Sequence, residues 1–240
     1  MTDYFISDAH LYPEGKQHPG TLPLQSFLKG LSNEEPGRLW ILGDLFDYWF
    51  EYRGLIPSGY SGTLCTIRGL ISAGWKVAFI PGNHDWWCGK GLQEATGMSI
   101  MKESVVQVDI QGLKCLLSHG DGLGKGDTGY RLMKPVLRSR VSETLFSTVH
   151  PVLATGFARM FSGTSRRILR KQVDTVPEYL SAWVREQGLN GFDLAVTGHT
   201  HCPAVRRLGD IIHVSLGDWI SHFTYLVIRG GEISLDEFRG

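Results

Sequence analysis

Cysteine is scarce in these 240 residues: Cys65, Cys88, Cys115 and Cys202 are widely spaced, with no CxxC pair among them. That usage argues against a disulfide-built scaffold and a Cys-type structural zinc site, and leaves reduced, mostly structural thiols as the expectation. No apolar run approaches the roughly 20 residues that span a bilayer, so a transmembrane helix is excluded. The opening residues, Met1-Thr2-Asp3-Tyr4-Phe5-Ile6-Ser7-Asp8, have no basic segment leading into an apolar stretch. No export signal is therefore expected, and a cytoplasmic globular protein is. Internal repeats and low-complexity tracts are lacking too. What is there is a composition of 42% hydrophobic and 20% charged residues, enough to bury a core and to exclude a disordered chain. The length suits a single domain, residues 1–240, with room for a sizeable insertion.

Net charge is also missing, with 24 Lys+Arg against 24 Asp+Glu, but the balance conceals an asymmetry. Residues 125–171 hold ten Lys/Arg and two acids, a net +8, and the rest of the chain is net −8. A basic module in an acidic body suits an anionic partner, a phosphate, a nucleic acid or an anionic membrane surface, or else is a solvated helical face. The basic residues have no interleaved aromatics suited to base stacking, so no nucleic-acid partner is expected. No obligate protein partner is evident.

Along the chain, short apolar runs end in clusters of Gly, Asp, His and Asn. Tyr4-Phe5-Ile6 runs into Asp8-Ala9-His10, and Arg38 to Leu42 into Gly43-Asp44. Trp75 to Ile80 runs into Gly82-Asn83-His84-Asp85, Leu113 to Leu117 into His119-Gly120-Asp121, and Leu194 to Val196 into Gly198-His199-Thr200-His201. Such runs are expected as strands buried in a core sheet, with helices near 21–32 and 60–73 between the first three. Segments 203–208, 210–215, 222–228 and 232–236 are expected as strands joined by tight turns. The fold class expected is an α/β sandwich with mixed sheets. From Tyr130 to about Gln187 no strand signal occurs, and helices are expected at 130–149, 157–161 and 168–183. Residues 125–187 are therefore expected to form a basic helical insertion, or lid, over the strand ends.

Five of the nine histidines (His10, His84, His119, His199, His201) fall at the carboxyl ends of these strands, beside Asp8, Asp44, Asn83, Asp85 and Asp121. In α/β sheets that edge is where loops converge on ligands. Nitrogen and hard oxygen donors without a cysteine pair suit manganese, iron or zinc, and they are too numerous for one ion. The expectation is a two-metal hydrolase, with ions about 3.5–4 Å apart activating a water for in-line displacement at phosphorus. His18, His150, His213 and His222 have no such company.

The five blocks Asp8-Ala9-His10, Gly43-Asp44-Leu45-Phe46-Asp47, Gly82-Asn83-His84-Asp85, His119-Gly120-Asp121 and Gly198-His199-Thr200-His201 resemble, in order, the calcineurin-like metallophosphoesterase superfamily. The resemblance implies that Asp8, His10 and His201 hold one metal. Asn83, His119 and His199 hold the second, and Asp44 bridges the two. His84 faces the scissile phosphate as a catalytic group, while Asp85 and Asp121 orient ligating histidines from behind. Asp47 is left between that role and a helix cap.

Finer features resemble the UDP-2,3-diacylglucosamine pyrophosphatase family of lipid A biosynthesis. They are Gly43 to Phe50, His119-Gly120-Asp121 followed by Gly126 to Arg131, the basic insertion, and Leu216-Gly217-Asp218-Trp219. That resemblance implies hydrolysis to 2,3-diacylglucosamine 1-phosphate and UMP at the cytoplasmic membrane face, with manganese the expected metal and iron or zinc the alternatives. Asp127 and Tyr130 match positions that face the substrate there, or else cap and pack a helix. Arg131, Lys134, Arg166, Arg167, Arg170 and Lys171 suit the pyrophosphate, and uncharged stretches of the insertion suit the acyl chains or pack it onto the body. The proteobacterial members carry Arg where this chain has His84, so the chain resembles a different branch. Trp49, Trp86, Trp87 and Trp219 either wall the cleft or pack the core. Two rival functions stand beside this one: a dinuclear phosphoesterase acting on a soluble nucleotide, and a non-catalytic scaffold. The scaffold is disfavoured because every expected ligand is present.

Overall fold

The computed structural model describes residues 1–14, 18–52, 55–126, 128–139, 141–142, 144–145 and 175–240, and only the backbone of 128–130. Two mixed sheets face each other. In the first, β1 (Thr2–Ile6), β2 (Arg38–Ile41), β3 (Lys76–Phe79) and β4 (Ser99–Ile100) run parallel, β10 (Thr224–Arg229) adds antiparallel to β1, and β11 (Glu232–Glu237) adds antiparallel to β10 at the edge. The second has the order β5 (Val106–Ile110), β6 (Leu113–Ser118), β7 (Leu194–Thr197), β9 (Ile211–Ser215), β8 (Ala204–Leu208), with β6, β7 and β9 parallel.

Side chains alternate across a strand, so each apolar run feeds two cores. Phe5 of β1, Trp40 of β2, Cys115 and Leu117 of β6, and Leu194 and Val196 of β7 meet between the sheets. Their neighbours Tyr4, Ile6, Leu39 and Ile41 point outward onto α1 (Thr21–Leu31) and α2 (Ser61–Ser72). Leu24, Phe27, Leu28 and Leu31 line one face of α1 at spacings of three and four, as a helix lying on a sheet requires. On the far side Leu116 and Ala195 pack under Leu180 and Val184 of α5 (Glu178–Leu189). The layers are thus helix, sheet, sheet, helix.

The mixed-sheet sandwich, the helices near 21–32 and 60–73 and the four C-terminal strands stand as expected. Three elements went unforeseen: α3 (Lys90–Thr96), β4 and β5. Two expectations are corrected. A helix over 168–183 does not hold, because residues 175–177 are non-helical and α5 starts only behind Pro177, whose ψ of 140° is extended. The proline's missing N–H and fixed ring suit a helix start, not an interior. α5 also packs on the second sheet, so the end of the expected insertion belongs to the outer layer. Where one helix was expected over 130–149, α4 (Thr128–Leu137) ends at Leu137 and residues 138–139 are non-helical, and the expected helix at 157–161 lies outside the described residues. Among the described residues no helix is long and apolar enough to cross a membrane.

Candidate metal centre

β1, β2 and β3 are adjacent and parallel, as are β6 and β7, so the loops after their carboxyl ends emerge side by side. Backbone bonds lace them together: Asp8 N–H donates to the Gly43 carbonyl at 3.1 Å, His10 N–H to that of Asp44 at 2.8 Å, and Gly198 N–H to that of His119 at 2.9 Å. The turns are tight enough that Asp8, His10, Asp44, His199 and His201 all take positive φ, between 44° and 68°. Among the described non-glycine residues only Gln111 and Phe223 do the same. Left-handed backbone costs on the order of 1 kcal/mol or more per residue and persists where surrounding structure imposes it. Concentrated in five candidate ligands, it is strain spent on aiming side chains inward. Close approach needs glycine as well. A methyl at Gly82 would strike Asp44 Oδ1, and one at Gly198 would lie 2.5 Å from Asp8 Oδ2.

Three overlapping donor clusters result. Asp8, His10 and His201 form the first, with His201 Nε2 3.6 Å and His10 Nε2 3.9 Å from Asp8 Oδ1. Asp8 Oδ2 is spent on the His199 N–H at 2.8 Å, while Asp8 Oδ1 and His10 Nε2 are buried without a hydrogen-bond partner. Buried polar atoms left so are costly unless a cation joins them. Asp44, His119 and His199 form the second cluster. His119 Nδ1 donates to the Leu42 carbonyl at 2.9 Å, so in the neutral ring Nε2 is a bare lone pair. It stands 3.1 Å from Asn83 Oδ1 and 3.3 Å from Asp44 Oδ2. Asp44 Oδ2 is also 3.6 Å from His10 Nε2, between these two clusters, as a bridging carboxylate must be. All seven expected ligands thus converge, and the set fits divalent cations.

The electrostatics agree. Burial opposes a charged His119, but the Asp44 carboxylate and then Asp8 overcome it and raise its pKa to about 10. Burial and His119 lower His199 to about 4. The site attracts positive charge yet cannot place it on every histidine.

His84 forms the third cluster with His10 and Asp44, between the other two. Its ring meets His10 edge-on at 4.7 Å, its N–H donates to Asp44 Oδ1 at 2.9 Å, and its Nδ1 donates to the Asp47 carbonyl at 2.7 Å, leaving Nε2 for chemistry. Asp85, expected to orient a histidine, instead ties two loops together. Oδ1 accepts the N–H groups of Asp44 (3.2 Å) and Gly82 (2.8 Å), and Oδ2 those of Leu45 (2.8 Å) and Phe46 (3.4 Å). Burial and the nearby Asp44 charge press it toward neutrality, up to about 7, yet a neutral carboxyl would set its O–H against two N–H groups. The donors therefore fix the ionised form.

Asp121 Oδ2 pairs with Lys134 at 3.1 Å and Arg138 at 2.7 Å, which pins α4 to the loop after His119. Lys134 is thus corrected from a pyrophosphate contact to a latch. Arg138 also stacks 3.7 Å over the Trp86 ring, and Trp87 Nε1 donates to the Leu137 carbonyl at 3.2 Å. Trp49 and Trp219 are core residues with no exposure. Arg131 is exposed. Asp127, Arg166, Arg167, Arg170, Lys171 and His150, together with the side chain of Tyr130, lie outside the described residues. The residue that sequence reasoning missed is Asp218, whose Oδ2 accepts from His201 Nδ1 at 3.2 Å and stands 3.3 Å from His222 Nδ1. The only signal was its place in the Leu216-to-Trp219 block.

A carboxylate set between two histidine clusters at the strand ends of a sandwich is the architecture of a metal-dependent phosphoesterase. Residues 1–203 match the model of the calcineurin-like phosphoesterases, and the chain belongs to that family. Its relatives include proteins named UDP-2,3-diacylglucosamine hydrolase. That of Porphyromonas gingivalis is 30% identical over 97% of this chain and 96% of its own. That of Pseudomonas savastanoi pv. phaseolicola is 32% identical over 97% and 94%, and that of Xanthomonas oryzae pv. oryzae 30% over 99% of each.

Proposed function

We propose that this chain hydrolyses the pyrophosphate of UDP-2,3-diacylglucosamine, giving 2,3-diacylglucosamine 1-phosphate and UMP in lipid A biosynthesis. The observation that carries this is relatives of that name spanning nearly the whole chain, on a site whose ligand set is complete. In this reading Asp8, His10 and His201 hold one divalent ion, Asn83, His119 and His199 the other, and Asp44 both. Bound there, the ions, manganese by preference, supply the Lewis acidity that neutralises the pyrophosphate and makes a water nucleophilic at phosphorus. His84, its Nδ1 committed to the Asp47 carbonyl, turns Nε2 toward the reacting phosphate, stabilising developing charge or protonating the leaving oxygen. Asp85 keeps Asp44 in place while charge builds.

The stretch after residue 125 serves as the substrate-binding insertion. α4 supports this with exposed Leu132, Met133 and Val136, apolar surface of the kind acyl chains need, beside exposed Arg131. Asp127, Tyr130, Arg166, Arg167 and Arg170 complete the substrate contacts. The +8 charge of residues 125–171 would hold the protein on the inner face of an anionic membrane, peripherally. The test is UMP release from UDP-2,3-diacylglucosamine beside UDP-glucose and a diadenosine polyphosphate. Strong preference for the acylated substrate is expected. Equal or better turnover of the soluble nucleotides would overturn the substrate assignment and leave the metal site standing.

A further inference from the structure

Asp218 sits in the loop after β9, buried to 4% exposure, and every polar atom of its carboxylate is engaged. Oδ1 accepts three successive backbone N–H groups, those of Ile220 at 3.0 Å, Ser221 at 2.7 Å and His222 at 3.1 Å. Oδ2 accepts from His201 Nδ1 at 3.2 Å and lies 3.3 Å from His222 Nδ1. The loop is itself anchored to the centre, since Trp219 N–H donates to the Asp8 carbonyl at 3.1 Å and Leu216 N–H to that of Thr197 at 2.8 Å. The two oxygens therefore do different work: one closes a turn, the other faces a candidate ligand.

We propose that Asp218 is a positioning residue that fixes the tautomer of His201, keeping the proton on Nδ1 so that Nε2 offers its lone pair beside Asp8. A neutral imidazole carries one N–H, and an ionised carboxylate can only accept. With Oδ2 against Nδ1, the proton belongs on Nδ1 and the lone pair on Nε2, which stands 3.6 Å from Asp8 Oδ1. His119 and His84 are fixed the same way by the neutral carbonyls of Leu42 and Asp47, whereas His201 has a charged acceptor, which also raises its basicity as a ligand. This rests on the metal reading given above.

The division of labour supplies the test. Asp218→Asn keeps an oxygen for the three N–H groups and puts an NH2 where Oδ2 was. That NH2 cannot accept from Nδ1–H, so neutral His201 moves its proton to Nε2 and loses the lone pair. Metal-stripped wild type and variant are titrated with Mn(II), the free ion being followed by its EPR signal, and unfolded in urea. Wild type is expected to bind two ions. The variant should bind one with wild-type affinity and the other about 10–100-fold more weakly, with its unfolding midpoint little changed. Two ions bound to the variant with wild-type affinities would overturn the role of Asp218 alone, and failure of wild type to bind a pair would overturn the metal reading and this inference with it. If the variant does not fold, the nitrogen shifts of zinc-loaded, 15N-histidine-labelled wild type decide. The His201 signals, identified by their loss in His201→Gln, should report a proton on Nδ1, and a proton on Nε2 would overturn the proposal.

Discussion

Replacing Asp85 with Asn changes one oxygen to a nitrogen of similar size, and the structure makes that change severe. Asp85 has no exposed surface, and each of its oxygens takes two backbone N–H groups. An amide has one acceptor, so whichever way it turns, its NH2 faces either Asp44 and Gly82 or Leu45 and Phe46. Two hydrogen bonds to an ionised acceptor are lost at about 1.5–3 kcal/mol each, and their donors are left unpaired. The expected loss is about 3–6 kcal/mol, a large share of the roughly 5–15 kcal/mol that holds a domain together. Urea unfolding of both proteins at pH 8 measures it. Because the same bonds tie the Asp44 turn to the Gly82 turn, activity should fall in whatever fraction remains folded. A loss under about 1 kcal/mol at unchanged m-value would refute the claim that both oxygens are committed.

Other perturbations separate chemistry from folding. Asp44→Ala removes the carboxylate shared by the clusters, and circular dichroism should show a folded chain whose hydrolysis has dropped by at least about 10³-fold. Full activity in that variant would end the two-metal reading. If His84 works on the substrate and not as a ligand, as proposed, His84→Gln should lower kcat about 10²–10⁴-fold while KM and bound metal stay near wild type, and loss of a bound ion would instead make it a ligand. His213 is buried and touches Thr197 Oγ1 at 2.9 Å, and burial, then Arg206, lowers its pKa from 6.5 to about 4. Between those values the unfolded chain takes up a proton that the folded chain refuses. This histidine should therefore withdraw about 3 kcal/mol of stability as pH falls from 7 to 4. Urea unfolding across that range should show the component in wild type and not in His213→Gln.

The candidate metal ligands were legible because each closes an apolar run, and strand ends in parallel sheets gather in one place whatever the order of pairing. His84 was legible with them. Asp218 was not, because its proximity to His201 depends on β9 lying beside β7, with β8 placed outside both in the sheet. Lys134 and Arg138 read as free cations along the chain, whereas the fold sets Asp121 under α4. Trp49 and Trp219 adjoin motif residues in sequence but alternate into the helix-side core, Trp49 on Phe46 and Trp219 on Phe27. Glu51 carried no signal either, yet its carboxylate accepts from Gly89, Gly91 and Leu92 and fixes the turn that carries Trp86 and Trp87. Such contacts depend on three-dimensional neighbours that periodicity does not encode.

The most direct test of the central claim is to strip the protein of metal and add manganese back while counting bound ions and following UMP release from UDP-2,3-diacylglucosamine. Activity should be absent at first, rise with bound metal and level off at two ions per chain. Full hydrolysis by the stripped protein, or a plateau reached with a single bound ion, would contradict a centre in which Asp44 joins two metals.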